Sequence, residues 1–183
     1  MPKLLEDVFC EVSSASGPAT TKIGRMEDNG HVFVLWLMLF AYGLHILEEH
    51  MLDWLHWARS TFKVPFTLAD FYVTNSVVVV GGICTAMVGW RAPEVSLAFP
   101  ALALINAVFF HIGPTVIKRR FSPGLITAVI LFLPVGSWAY IGAYLDGALT
   151  ARAAVVSALG GALLMAYPFM LFKIRKRLPS YEE

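Results

Sequence analysis

Residues 32–55 read VFVLWLMLFAYGLHILEEHMLDWL. The run is apolar enough to cross a hydrocarbon core of about 30 Å, which takes about 20 residues of helix. It is broken only near its end, by His45-Ile46-Leu47-Glu48-Glu49-His50. Ionisable groups at such depth cost about 3 kcal/mol each, so they face a cavity, a partner or a metal rather than lipid. At about 100° per residue, Glu48 falls about 60° to one side of His45 and Glu49 about 40° to the other, one turn away. All three share a helix face, whereas His50 points about 140° from His45.

Four more apolar stretches follow, near 72–90, 95–117, 124–145 and 151–172. The connections carry Arg59, Lys63 and Pro65, then Arg91-Ala92-Pro93-Glu94, Lys118-Arg119-Arg120 with Pro123, and Asp146-Gly147, which are turn and interface residues. The expected architecture is all-α: an integral membrane bundle of about five transmembrane helices over 31–173, between a polar segment 1–30 and a short tail 174–183. Of the 183 residues, 57% are hydrophobic, and the mean hydropathy is +0.66, well above a soluble domain. The net charge of +1 and the absence of a basic face argue against nucleic acid as a partner and leave membrane lipids. Cys10 and Cys84 lack metal spacing and have no reason to pair. The polar start has no apolar core of the kind a secretory signal needs.

An odd number of spans sorts the basic residues into two faces. One takes Arg59, Lys63, Lys118, Arg119, Arg120, Lys173, Arg175, Lys176 and Arg177, and the other only Lys3, Lys22, Arg25, Arg91 and Arg152. The positive-inside rule puts the first face, and the C-terminus with it, in the cytoplasm, and the N-terminus outside.

The third span holds a second polar element, Asn106-Ala107-Val108-Phe109-Phe110-His111. At about 1.5 Å per residue, His45 lies roughly 20 Å and His111 roughly 24 Å from the outer ends of their spans, at similar height in the cytoplasmic half. Asn75 and Tyr167 reach the same layer and, with Asn106, are candidates for a supporting role. Two imidazoles with a carboxylate form the facial set of non-haem iron and of catalytic zinc. His45, His111, Glu48 and Glu49 are therefore the candidate ligands for one or two divalent ions, iron or zinc, with Glu48 and Glu49 the candidate acid–base groups. A full two-metal site in a helix bundle draws on about six side chains, which favours one ion.

That reading describes a membrane metalloenzyme, oxidoreductase or hydrolase, acting on a lipophilic or membrane-partitioned small molecule. Two others compete with it. Crowded, desolvated Glu48 and Glu49 could run metal-free acid–base isomerisation or cyclisation, or the buried pairs could form a proton or ion path. The structural alternative is interhelical hydrogen bonding, which is as natural a role for Asn75 and Asn106. His56 shares the His45 face but is about 16 Å further along a continuous helix, beside Trp54 and Trp57 at the membrane interface. Gly81-Gly82 and Gly160-Gly161 suit close helix approach, Pro134 suits a kink, and Asp146 and Arg152 are expected in solvent.

The chain resembles the HXXEE-domain family of small membrane proteins, named for the pattern borne here by His45, Glu48 and Glu49. The likeness runs over roughly 35–145 and takes in Asn106, His111, Arg119-Arg120 and Phe121-Ser122-Pro123-Gly124. It implies a catalytic, metal-binding centre built on those residues. Here four residues separate Asn106 from His111 instead of the family's three, which on a regular helix turns Asn106 about 140° from His111. Zinc-protease patterns do not fit, because His-Glu-x-x-His needs histidines four apart and the inverted form needs His where Glu49 stands.

Overall fold

The computed structural model describes residues 30–175, which are helical and without strands. The N-terminal segment with Cys10, and the basic cluster at Lys176 and Arg177, lie outside the described residues. In chain order the helices are α1 (Phe33–Met51), α2 (Trp54–Phe62), α3 (Leu68–Val88), α4 (Pro93–Lys118), α5 (Leu125–Leu145) and α6 (Ala151–Arg175). Among the described residues, four helical runs are long and apolar enough to cross a membrane: Leu68–Arg91, Pro93–Lys118, Leu125–Leu145 and Ala151–Leu171. α1 is 19 residues long. Its apolar character is diluted by His45, Glu48, Glu49 and His50 in the last two turns.

The first apolar run is not one helix to residue 55. It stops at Met51 because Asp53 adopts φ 53°, ψ 52° and turns its carboxylate onto the His56 amide 3.3 Å away, starting α2 afresh. α2 buries Ala58 and exposes His56, Arg59 and Ser60. His56 thus sits on a separate, exposed helix.

α4 runs through the middle, with Phe99–Ala103 all buried. Phe99 and Leu102 pack there against Met38 and Tyr42 of α1 and Phe132 of α5. α6 lies on α4 at Gly161, where a Cβ would come 2.6 Å from the Leu102 nitrogen, so only glycine permits the approach. Gly82 likewise backs onto Phe99, whereas Gly81 faces open space.

Two segments depart from α-helical register, Asn106–Ile112 in α4 and Ala128–Phe132 in α5, both π-helical and packed together. Each ends two residues before a proline, Pro114 or Pro134. A proline in mid-helix offers no N–H and crowds the carbonyl four residues back. The chain answers with a wider turn: Gly113 N–H bonds Val108 O and Leu133 N–H bonds Ala128 O, five residues back instead of four. Pro134 therefore acts through a register change.

At the end of the bundle away from the histidine–glutamate motif, the expected solvation of Asp146 is corrected. Its side chain is only 6% exposed. Oδ1 lies 2.7 Å from His31 Nδ1, and Oδ2 accepts from the His31 amide at 2.9 Å and from Trp90 Nε1 at 2.8 Å. Burial acts to raise the Asp146 pKa, but these hydrogen bonds together hold it below the ordinary carboxylate value. Arg152 is exposed, 3.6 Å from Glu94.

Candidate metal centre

His45 and Glu49, one turn apart on α1, meet His111 of α4 in the interior; all three are buried. Glu49 Oε1 is 3.5 Å from His45 Nε2 and 3.5 Å from His111 Nε2. The two imidazoles stand edge to face with centroids 4.8 Å apart. Each residue offers a ligand atom within 4.8 Å of the other two, a group that could hold a metal ion. In a tetrahedral site with bonds of about 2.0–2.2 Å, neighbouring ligand atoms are about 3.4 Å apart, close to the two Glu49 distances.

The other ring nitrogens are both engaged, and for His45 the partners fix the tautomer. Glu48 turns away from Glu49 and receives the start of α5. Its Oε1 accepts from the Gly124 and Ile126 amides at 3.2 and 3.0 Å, and its Oε2 from the Thr127 amide at 2.7 Å and the Thr127 hydroxyl at 2.5 Å. A carboxylate over free amides at a helix start is well placed electrostatically. The Thr127 hydroxyl has one hydrogen and gives it to Glu48, so at 2.7 Å it accepts from His45 Nδ1–H. His45 Nε2 is then unprotonated and points inward. His111 Nδ1 lies 3.1 Å from the buried Ser122 hydroxyl, and its Nε2 is buried with no hydrogen-bond partner.

Ser122-Pro123-Gly124 thus forms the floor of the site. Gly124 has φ +93°, and a Cβ there would lie 2.5 Å from His111 Cε1 and 2.8 Å from His45 Cε1. Only glycine meets both demands.

Asn106 enters the site after all. A five-residue offset points away on an α-helix but nearly overlies in a π turn, and the π segment begins at Asn106. Its Nδ2 is 3.2 Å from His45 Nε2. Asn75 is one step removed: its Oδ1 accepts from Tyr42 Oη–H at 2.8 Å, and Tyr42 stacks on Phe132, which in turn covers the His45 ring. His50 faces Tyr72, outside the site. Tyr167 is half-buried on α6 and does not line the cleft beside Glu49, to which α6 contributes Met165 and Pro168. That cleft is small and partly open, and reaches Glu49 and Asn106 between α1, α3, α4 and α6.

Helical phase and residue counting do not reach Thr127, Ser122 or Gly124; the signal for the last two is the Phe121-Ser122-Pro123-Gly124 stretch in the family likeness, and Thr127 had none.

A family described as proteins of unknown function with an HXXEE motif matches residues 36–139 of the chain. The chain is also 29% identical over 153 residues, 78% of its length and 96% of the relative's, to a Bacillus subtilis (strain 168) protein described as "Uncharacterized protein YrkK". No solved structure matches it.

Proposed function

From the premise that the chain belongs to the HXXEE family, we propose that it is a membrane-embedded metalloenzyme acting on a lipophilic or membrane-partitioned small molecule. His45, Glu49 and His111 hold one iron or zinc ion. The observation that carries this reading is the His111 Nε2 atom, buried without a hydrogen-bond partner 3.5 Å from Glu49. Leaving a buried polar atom unsatisfied costs about 1–3 kcal/mol, so its place beside two more inward-facing donors calls for an occupant.

We take α1 as the fifth crossing. Its 19 residues span about 28 Å. Its outer face, with Phe33, Trp36, Phe40, Leu44 and Leu47, is exposed and apolar. The C-terminus is then cytoplasmic, and the site lies in the cytoplasmic half.

When bound, such an ion supplies Lewis acidity, an activated water or a centre for oxygen chemistry. The protein's own groups do the rest. Glu48 and Thr127 keep the His45 proton on Nδ1, as supporting partners of metal-ligating histidines do. Ser122 takes the same role behind His111. Glu49 is the carboxylate of the triad, lines the cleft and can take up a proton from a molecule seated there. Asn106 aims an amide N–H into the same space. Because Glu48 is committed to α5, a proton shared between Glu48 and Glu49 has little support, and with it the metal-free alternative.

The test is elemental analysis of the purified protein. About one ion per chain is expected, lost in His45→Ala, Glu49→Gln and His111→Ala. Wild type free of stoichiometric metal would overturn the proposal.

A further inference from the structure

A cavity of about 650 Å³, in the size range of small-molecule sites, lies between α2 and the turn from α4 into α5. His56, Trp57 and Lys63 line it from one side and Lys118, Arg120 and Phe121 from the other, and no carboxylate does. Lys118 closes the apolar run Pro93–Lys118. The cavity therefore lies where a membrane-crossing helix reaches the headgroups, whichever face of the membrane that is.

Basic side chains at helix C-termini ordinarily serve the last carbonyls. Two of the cations here do so: Lys118 Nζ donates to Thr61 O at 2.9 Å, and Arg59 Nε to Phe66 O at 2.6 Å. An ammonium has three N–H groups, so Lys118 keeps two to give. Lys63 and Arg120 are exposed, and among the described residues no carboxylate pairs with either. The cavity thus holds more positive charge than the helix ends use, and an anion is the complementary occupant. Its surroundings are apolar. Phe121 in its wall is 50% exposed, and Ile117 and Val116, just before Lys118 on α4, are 81% and 69% exposed. A free phosphate would use the cations alone, whereas a phospholipid uses both. A zwitterionic head would also bring an ammonium, for which the lining has no carboxylate and which its cations repel.

We propose that this cavity binds the phosphodiester head of an anionic glycerophospholipid, with Lys63, Lys118 and Arg120 on the phosphate and the acyl chains along Val116 and Ile117 of α4. The site is separate from His45, Glu49 and His111 and stands whether or not they hold an ion.

The experiment is native mass spectrometry of the full-length protein in detergent, titrated with dioctanoyl phosphatidylglycerol or dioctanoyl phosphatidylcholine, with glycerol phosphate as a competitor. Wild type is expected to retain one phosphatidylglycerol per chain at least about tenfold more tightly than phosphatidylcholine. The double variant Lys63→Gln, Arg120→Gln should weaken that binding about 25-fold, since each basic residue near a charged membrane surface is worth about a factor of five. Arg91→Gln with Arg152→Gln removes the same charge from the other end of the bundle and should leave binding unchanged. Equal losses in the two double variants would show general attraction between a basic protein and an acidic lipid and overturn the proposal. Equal retention of the two lipids by wild type would do the same, a readout that needs no variant to fold. Displacement of the lipid by an equal concentration of glycerol phosphate would assign the cavity to a free phosphate and overturn the lipid assignment.

Discussion

Asp146 and Glu49 are both buried carboxylates beside histidine, at opposite ends of the bundle, and they are finished differently. Asp146 is closed: His31 and Trp90 place three donors on its two oxygens. It ties the start of α1 to the ends of α3 and α5 and has nothing left to offer. Glu49 lies between two imidazoles whose outer nitrogens are held by Thr127 and Ser122 and whose inner nitrogens point at each other's neighbourhood, one of them unpartnered. A polar cluster that satisfies itself is a fastener. One supported from outside and unsatisfied within is a receptacle.

The sharpest way to break this comparison is to remove groups from each end and read metal content and stability separately. Glu49→Gln or His111→Ala is expected to lower metal affinity more than about 100-fold, since supporting partners alone are worth about 10–100-fold. Asp146→Asn should leave metal content unchanged. Metal lost equally from both ends would mean that the two clusters are coupled and that the division into fastener and receptacle is mistaken.

Gly124→Ala tests the floor of the receptacle. A left-handed backbone costs a non-glycine residue about 1–2 kcal/mol, and overpacking adds about 1–3 kcal/mol. Because the new Cβ would meet both imidazoles, thermal unfolding should show a loss of about 2–5 kcal/mol together with reduced metal. Stability lost with metal retained would imply that the rings move apart without consequence, contrary to a fixed ligand set.

Thr127→Val is milder. It removes the hydroxyl between Glu48 and His45 but keeps the shape. Metal affinity is expected to fall about 10–100-fold, with Thr127→Ser restoring it. A valine variant that binds metal like wild type would show that the tautomer is set without the relay.

Much of this centre was legible from spacing alone. His45 and Glu49 are neighbours because they are four apart on a helix, and residue counting put His111 at their level. Glu48 could not be assigned, since helical phase gives a face and not a partner, and its partners are backbone amides 76–79 residues away. Asn106 was turned outward by assuming 3.6 residues per turn; the clue to the wider turn was Pro114 in mid-span, whose effect on register propensity does not encode. Asp146 was misplaced in solvent because Trp90 and His31 converge on it from distant parts of the chain. The family likeness, carried by the residues of the α1 motif and the Ser122-Pro123-Gly124 turn, pointed to the same half of the bundle.

The smallest effect comes from the closed end, and its signature is pH. The Asp146 carboxyl is held below its ordinary value, about 3.9 in an unfolded chain. Between the folded and unfolded pKa the unfolded state binds more protons, so stability rises with pH there. The contribution is complete above about pH 4 and disappears as pH falls through the folded pKa. Asp146→Asn should therefore cost about 1–2 kcal/mol at neutral pH, and its thermal midpoint should converge on that of wild type as the pH of the detergent solution is lowered from 7 toward 3. Parallel curves over that range would mean that the carboxylate's charge contributes nothing to holding α1 against α5, and that the fastener works through shape alone.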